Sequence, residues 1–173
     1  NSINDTFNDY LIYGGMPQRF DFLTPDAISN YLASLYDGIV EKDICNIKNK
    51  INRESFDAVS RYVMNNIAKE FSADNISQYF SNVNDVSLLR ENVYRYLEKM
   101  EKACLISRVK RYDVATKRTL KSIEKQYAVD TGFIYSSSMS NKVEPTRLLE
   151  NIVYNELIYQ GYKVFLGKTY KGE

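Results

Sequence analysis

Apolar positions recur every three or four residues through most of the chain, the spacing that gathers side chains on one face of an α-helix. The run from Phe7 to Leu23 reads as a short helix closed by Gly14-Gly15, with Pro17 just beyond. Thr24 then Pro25 is the preferred order of cap and first helical residue. The helix they open, from Asp26 into Asn46, turns Ile28, Leu32, Leu35, Tyr36, Ile39 and Val40 to one side. A polar stretch over residues 46–55 separates it from a helix predicted over Ser55–Phe71, with Phe56, Val59, Val63, Ile67 and Phe71 near four-residue spacing. Ser72 caps a short helix carrying Ile76, Tyr79 and Phe80. After a turn at Asn82–Asp85, Ser87 opens a helix with Leu89, Val93, Leu97, Met100 and Cys104 inward.

Beyond Cys104 the period changes. Ile106, Val109, Tyr112 and Val114 sit among charges, a pattern of strand, turn and strand that ends near Asp130. A Ser-rich loop follows. Pro145 then starts a helix with Leu148, Leu149, Ile152, Val153 and Leu157 inward, Gly161 ends it, and Tyr162–Leu166 reads as a buried strand. The fold class is mainly α with a small β component, α+β. Three helices and a hairpin in this order fit a winged helix, and fit equally a three-helix bundle with a β-appendage. The expected division is a helical segment over 1–50, a winged-helix-like core over 51–130, and the start of a further α/β unit over 131–173.

Charge singles out the hairpin. Residues 108–125 hold seven bases and two acids, in a chain whose net charge is only +1. A concentrated positive field of this kind attracts phosphate backbones through counterion release. Arg108, Lys110, Arg111, Lys117, Arg118 and Lys121 are the candidate nucleic-acid contacts, with DNA the expected partner. The same charges also suit a solvated face or a docking surface for protein. On the preceding helix, Arg95, Lys99 and Lys102 are flanked by Glu91, Glu98 and Glu101, so that face is mixed in sign. Asp43, Lys125 and Asp130 have no partner visible from sequence.

Composition removes several chemistries. The chain has no histidine, which excludes His-based acid–base catalysis and His metal ligands. Two cysteines make no disulfide framework and read as small buried hydrophobes in a reducing, cytoplasmic setting. Fifteen tyrosines and no tryptophan suggest element edges and interfaces. Gly161 to Thr169 imitates a phosphate-binding P-loop, but five strand-forming residues separate its glycines where the motif has four, and Gly161 ends a helix. No apolar run is long enough to span a membrane.

Five segments, YGGMPQ, YLASLYDGIVEKDI, VYRYLEKMEKACLISRVKRYD, EKQYAVDTGF and ENIVYNELIYQGYKVFLGKTYKGE, occur in that order over essentially the whole chain. Together they resemble the uncharacterised C-terminal region of a large family of prokaryotic AAA+-type ATPases. The resemblance implies a P-loop ATPase module before Asn1, a winged helix here, and a PD-(D/E)xK nuclease-like fold that begins here and continues past Glu173. It places Glu150 at the first acidic position of that nuclease-like core. The later acidic positions would lie downstream, so the expectation for this stretch is a non-catalytic excised fragment without metal or cofactor. Its implied partners are DNA, the ATPase module of the same chain, and further copies of itself.

Overall fold

In a computed structural model, which describes residues 3–46, 51–83, 88–113, 118–137 and 143–167, seven α-helices surround a four-stranded sheet. Helix α1 (Ile3–Tyr13) stops where Gly14 takes φ +69°, and a 3-10 turn (Pro17–Asp21) follows. Helix α2 (Pro25–Ile39) starts where Thr24 Oγ1 accepts from the Ala27 N–H at 3.3 Å. It widens into a π-helical turn (Val40–Ile44) that keeps Val40 and Ile44 fully buried. Helix α3 (Arg53–Asn65) is capped by Asn52, whose side chain accepts from the Ser55 N–H at 2.8 Å. Strand β1 (Glu70–Phe71), α4 (Ala73–Val83), α5 (Arg90–Lys102), β2 (Ile106–Asp113) and β3 (Arg118–Ala128) complete the central unit. Helices α6 (Gly132–Ser137) and α7 (Pro145–Tyr159) and strand β4 (Leu166–Gly167) follow.

The sheet order is β1-β3-β2-β4, with β1 and β2 antiparallel to β3 and β4 parallel to β2. Strand β1 decides between the two topologies that the sequence leaves open. A strand between the first and second helices, paired with the second strand of the hairpin, is the winged-helix arrangement, with β2–β3 as the wing. Its cause is local. Two asparagines, poor helix formers, end α3, and Asn66 Nδ2 donates to the Tyr62 carbonyl at 2.8 Å. Ala68 then takes φ +61° and donates its N–H to the Gln126 carbonyl at 2.9 Å, which aligns Glu70–Phe71 beside β3. The helix expected to run to Phe71 therefore ends at Asn65, although Ile67 remains buried.

One contiguous core draws on α2 through α7, with Phe56, Val63, Leu97, Met100 and Phe133 among its fully buried members. Helix α6 forms where a loop is expected, because Phe133 and Ile134 insert between α2 and α3. The inward face of α5 is Val93, Tyr96, Leu97 and Met100. Leu89 and Cys104 are exposed, and Cys104 sits at φ +55° past the helix end. Cys45 is half-buried, so neither cysteine is a sealed core residue. Ser87 and most of the Asn82–Asp85 turn lie outside the described residues. The expected strand at Tyr162–Leu166 is also shorter: only Leu166 and Gly167 pair, while Tyr162 and Phe165 are exposed.

The end of β3 is where the N-terminal segment is held. Asp130 Oδ2 accepts from the Gly15 N–H and Oδ1 from the Gly132 N–H, both at 2.8 Å. Thr131 Oγ1 donates to the Tyr10 carbonyl at 3.0 Å. A Cβ at Gly14 would fall on the Asp130 carboxylate, and one at Gly132 would lie 2.6 Å from the Tyr13 carbonyl oxygen. Burial pushes the Asp130 carboxyl above its ordinary 3.8, against the pull of the two amides and of Arg19. The folded protein thus holds this proton more tightly than the unfolded chain. The cost of an inward charge is relieved as pH falls through the raised value toward 3.8. We expect Gly14→Ala to lower stability by about 2 kcal/mol or more, through an unfavourable φ and a displaced carboxylate. Asp130→Asn turns an N–H donor toward one of the two amides and is expected to cost about 1–3 kcal/mol. Urea unfolding of both variants checks this, and a change under 0.5 kcal/mol (about the scatter of surface substitutions) would remove the latch.

Candidate functional site

The β2–β3 hairpin is divided by an irregularity. Lys110 pairs with Glu124, but Arg111 pairs with Leu120, so Lys121, Ser122 and Ile123 bulge from β3. Toward the base the charges are consumed internally. Arg108 grips Glu124 with both arms of its guanidinium, Nη2 at 2.9 and 3.0 Å and Nε at 3.1 Å. The two side chains are 12% and 6% exposed. Arg108 Nη1 also lies 3.6 Å from Glu101 on α5, which ties wing to helix. Gln126 donates to Glu124 at 3.0 Å. Lys125 Nζ is 2.7 Å from Glu150 on α7.

At the bulge and outward the balance differs. Residues 110–121 carry five bases against one acid. Lys110 is exposed, and Arg111 is half-buried with an Nε–H that has no hydrogen-bond partner among the described residues. Lys117 lies outside the described residues. Arg118 and Lys121 are placed in β3 by backbone alone, their side chains outside the description. Of the six bases expected to meet nucleic acid, Arg108 is therefore turned into the protein, Lys110 is exposed on the near side of the bulge, and Arg111 is half-buried just past it.

Helix α5 is mixed in charge. Its Arg90 meets Asp74 at 3.1 Å and its Lys102 meets Glu98 at 2.6 Å, while Arg95 is exposed with its guanidinium 5.8 Å from the Tyr96 ring centroid. Such exposed ion pairs contribute little to stability.

Glu150 has two donors on one oxygen, Lys125 and the Tyr127 hydroxyl, the latter at 2.8 Å. Burial, then the bond to Glu150, raises Tyr127 further above the ordinary tyrosine value, so it stays a protonated donor. The Tyr127 ring stacks on Tyr154, centroids 4.0 Å apart. Next to it, fully buried Asn151 imitates a neighbouring strand. Its Oδ1 accepts from the Ala128 N–H at 2.7 Å and its Nδ2 donates to the Ala128 carbonyl at 2.9 Å. Asn155 Nδ2 adds bonds to the Ala128 and Val129 carbonyls, both 3.1 Å. The docked face of α7 is thus Leu148, Asn151 and Tyr154; Leu148 is inward as expected, Ile152 and Leu157 are half-buried, and Leu149 and Val153 face outward, against the sequence expectation. Among the described residues no three His, Cys, Asp or Glu side chains converge to hold a metal ion. Glu150 is placed as a counter-ion to Lys125.

The helices and the strand pairing give an α+β chain with a winged-helix-like central unit. The family model described as a domain of unknown function, DUF8612, matches residues 4–144, and the chain belongs to that family. An uncharacterized protein of Haemophilus influenzae is 26% identical over 166 residues, 96% of this chain and 41% of its own length. The uncharacterized protein MJ1544 of Methanocaldococcus jannaschii is 28% identical over 155 residues, 90% of this chain and 34% of its own length. The chain therefore spans less than half of each relative. No solved structure matches it. Among the described residues no helix is long and apolar enough to cross a membrane.

The Arg108–Glu124 fork makes a direct prediction. Removing one partner of a buried pair strands the other charge, at about 3–5 kcal/mol. Arg108→Met is expected to lower unfolding stability by about that much, and the double variant with Glu124→Leu to recover most of it. A loss in the double variant equal to the sum of the Arg108→Met and Glu124→Leu losses would mean that the fork contributes nothing as a pair.

Proposed function

We propose that this chain is a winged-helix module that holds nucleic acid by its phosphates through the far half of the β2–β3 hairpin. The observation that carries the reading is the division of charge. Arg108 and Lys125 are committed to Glu124 and Glu150, while the stretch 110–121, from the edge of the bulge outward, holds five bases and one acid in sequence. Phosphate contact of this kind positions a partner without reading its bases. The longer protein fits the resemblance to prokaryotic AAA+-type ATPases: both relatives are prokaryotic and more than twice the matched length. In that setting the module couples nucleic acid to ATP hydrolysis in the cytoplasm. A nuclease-like tail would begin at α7, with Glu150 released from Lys125 only if downstream carboxylates and a metal replaced that partner.

Each phosphate neutralised contributes about −0.9 to the slope of log affinity against log salt on duplex DNA. Fluorescence anisotropy across a salt series should give a slope of about −3 to −5 for the intact chain. The triple variant of Lys110, Lys117 and Lys121 to Ala should flatten it by about 3, similarly for unrelated sequences. A slope unchanged by the triple substitution refutes the grip.

A second reading rests on a separate observation. The apolar stripe of α7 (Leu149, Val153) and the N-terminal residues Ile3, Phe20 and Leu23 stand in water. Surfaces of this kind fit a docking role, against the ATPase module or a second copy. If a second copy is the partner, sedimentation should find association that rises with concentration and is abolished by Leu149→Lys with Val153→Lys. Monomer at every concentration in the unaltered chain would dismiss the second copy.

A further inference from the structure

The outer wing is flanked by aromatic rings as well as cations. Strand β4 sets Leu166 beside Arg111 and Gly167 beside Tyr112. This brings the Phe165 ring against the Tyr112 ring, centroids 5.4 Å apart with planes at 45°. Phe165 nevertheless leaves 55% of its surface in water, and Tyr162 leaves 60%. Side chains alternate along a strand, so Tyr112 shares a face with Lys110. Lys110 is exposed, and so is Lys163, two residues before Phe165. Arg111, on the same stretch of β2, keeps a buried Nε–H without a hydrogen-bond partner among the described residues. An exposed ring braced by a second ring, with cations on either side, is a poor use of apolar surface in a structural role. It is the arrangement on which an unpaired base can lie while its phosphates meet the cations. Bases inside a duplex are already stacked on one another and offer no such face.

We infer that this face takes single-stranded nucleic acid, with a base stacked on Phe165 and the flanking phosphates on Lys110 and Lys163. The inference rests on the hairpin grip proposed above and narrows its substrate class. It also gives β4 a role that pairing over two residues does not, since that pairing presents Phe165 to the wing.

The chain contains no tryptophan, so Phe165→Trp introduces a sole indole at the platform. Titration with a 20-mer of deoxythymidylate should quench its fluorescence, whereas a duplex of equal length should leave it nearly unchanged. By anisotropy, Phe165→Leu should weaken single-strand binding about tenfold and leave duplex binding and the melting temperature unaltered. Salt-dependent binding of both forms, insensitive to Phe165→Leu and without quenching, overturns the platform and leaves the hairpin grip standing. Absence of binding by either form at low salt overturns both.

Discussion

The five residues from Ala128 to Gly132 hold the molecule together. Here the second wing strand ends, and its backbone is satisfied by side chains from elsewhere. Asn151 takes both polar groups of Ala128, and Asn155 adds to the carbonyls of Ala128 and Val129. Asp130 and Thr131 then bind the Tyr10–Gly15 corner of the N-terminal segment. Buried backbone groups must find partners, and a strand end with no neighbouring strand has few. The chain meets that demand with two asparagines on α7 and two glycines that admit the Asp130 carboxylate. In consequence, the N-terminal helix, α6 and α7 all converge on the strand that carries the wing. A displacement of the wing would be felt by both segments that flank the central unit.

The same economy governs charge. The wing carries more positive charge than any other part of the chain, yet its inner half contributes no field. Arg108 and Lys125 stabilise the contacts of the wing with α5 and α7. A bidentate pair that is almost fully desolvated is costly to break and contributes more to geometry than to net stability. Lys110, at the edge of the bulge, is exposed instead. With β4 alongside, the outer half also gains the Tyr112–Phe165 pair. The relatives in a bacterium and an archaeon are each more than twice as long as the stretch they share with this chain.

Most of the helices follow from spacing and caps in the sequence, because Thr24 and Ser72 each accept the hydrogen bond that their position implies, while the Asn52 cap of α3 lies in the stretch expected to be linker. Three features do not follow, for physical reasons. Strand β1 has two residues, too few for a period, and it exists because Ala68 pairs with Gln126 far along the chain. The docked face of α7 includes Leu148 as expected but turns toward polar residues: Asn151 and Tyr154 bury themselves through hydrogen bonding and stacking, which no hydrophobic pattern reports. The inward turn of Arg108 depends on Glu124 sixteen residues later, a cross-strand partnership that charge counting along the chain cannot assign. One trace was present: an acidic residue inside a basic hairpin is a natural counter-ion, and Glu124 is that residue.

Mapping the surface that nucleic acid touches tests the division of the hairpin most directly. Amide chemical shifts of the isotope-labelled chain, followed while a deoxythymidylate 20-mer is added at low salt, report that surface residue by residue. The account predicts shifts concentrated at Lys110–Arg118 and at Phe165, with the amides around Arg108, Glu124 and Asn151 unmoved. Shifts confined to α1 or to the outer face of α7, with the hairpin silent, would contradict it.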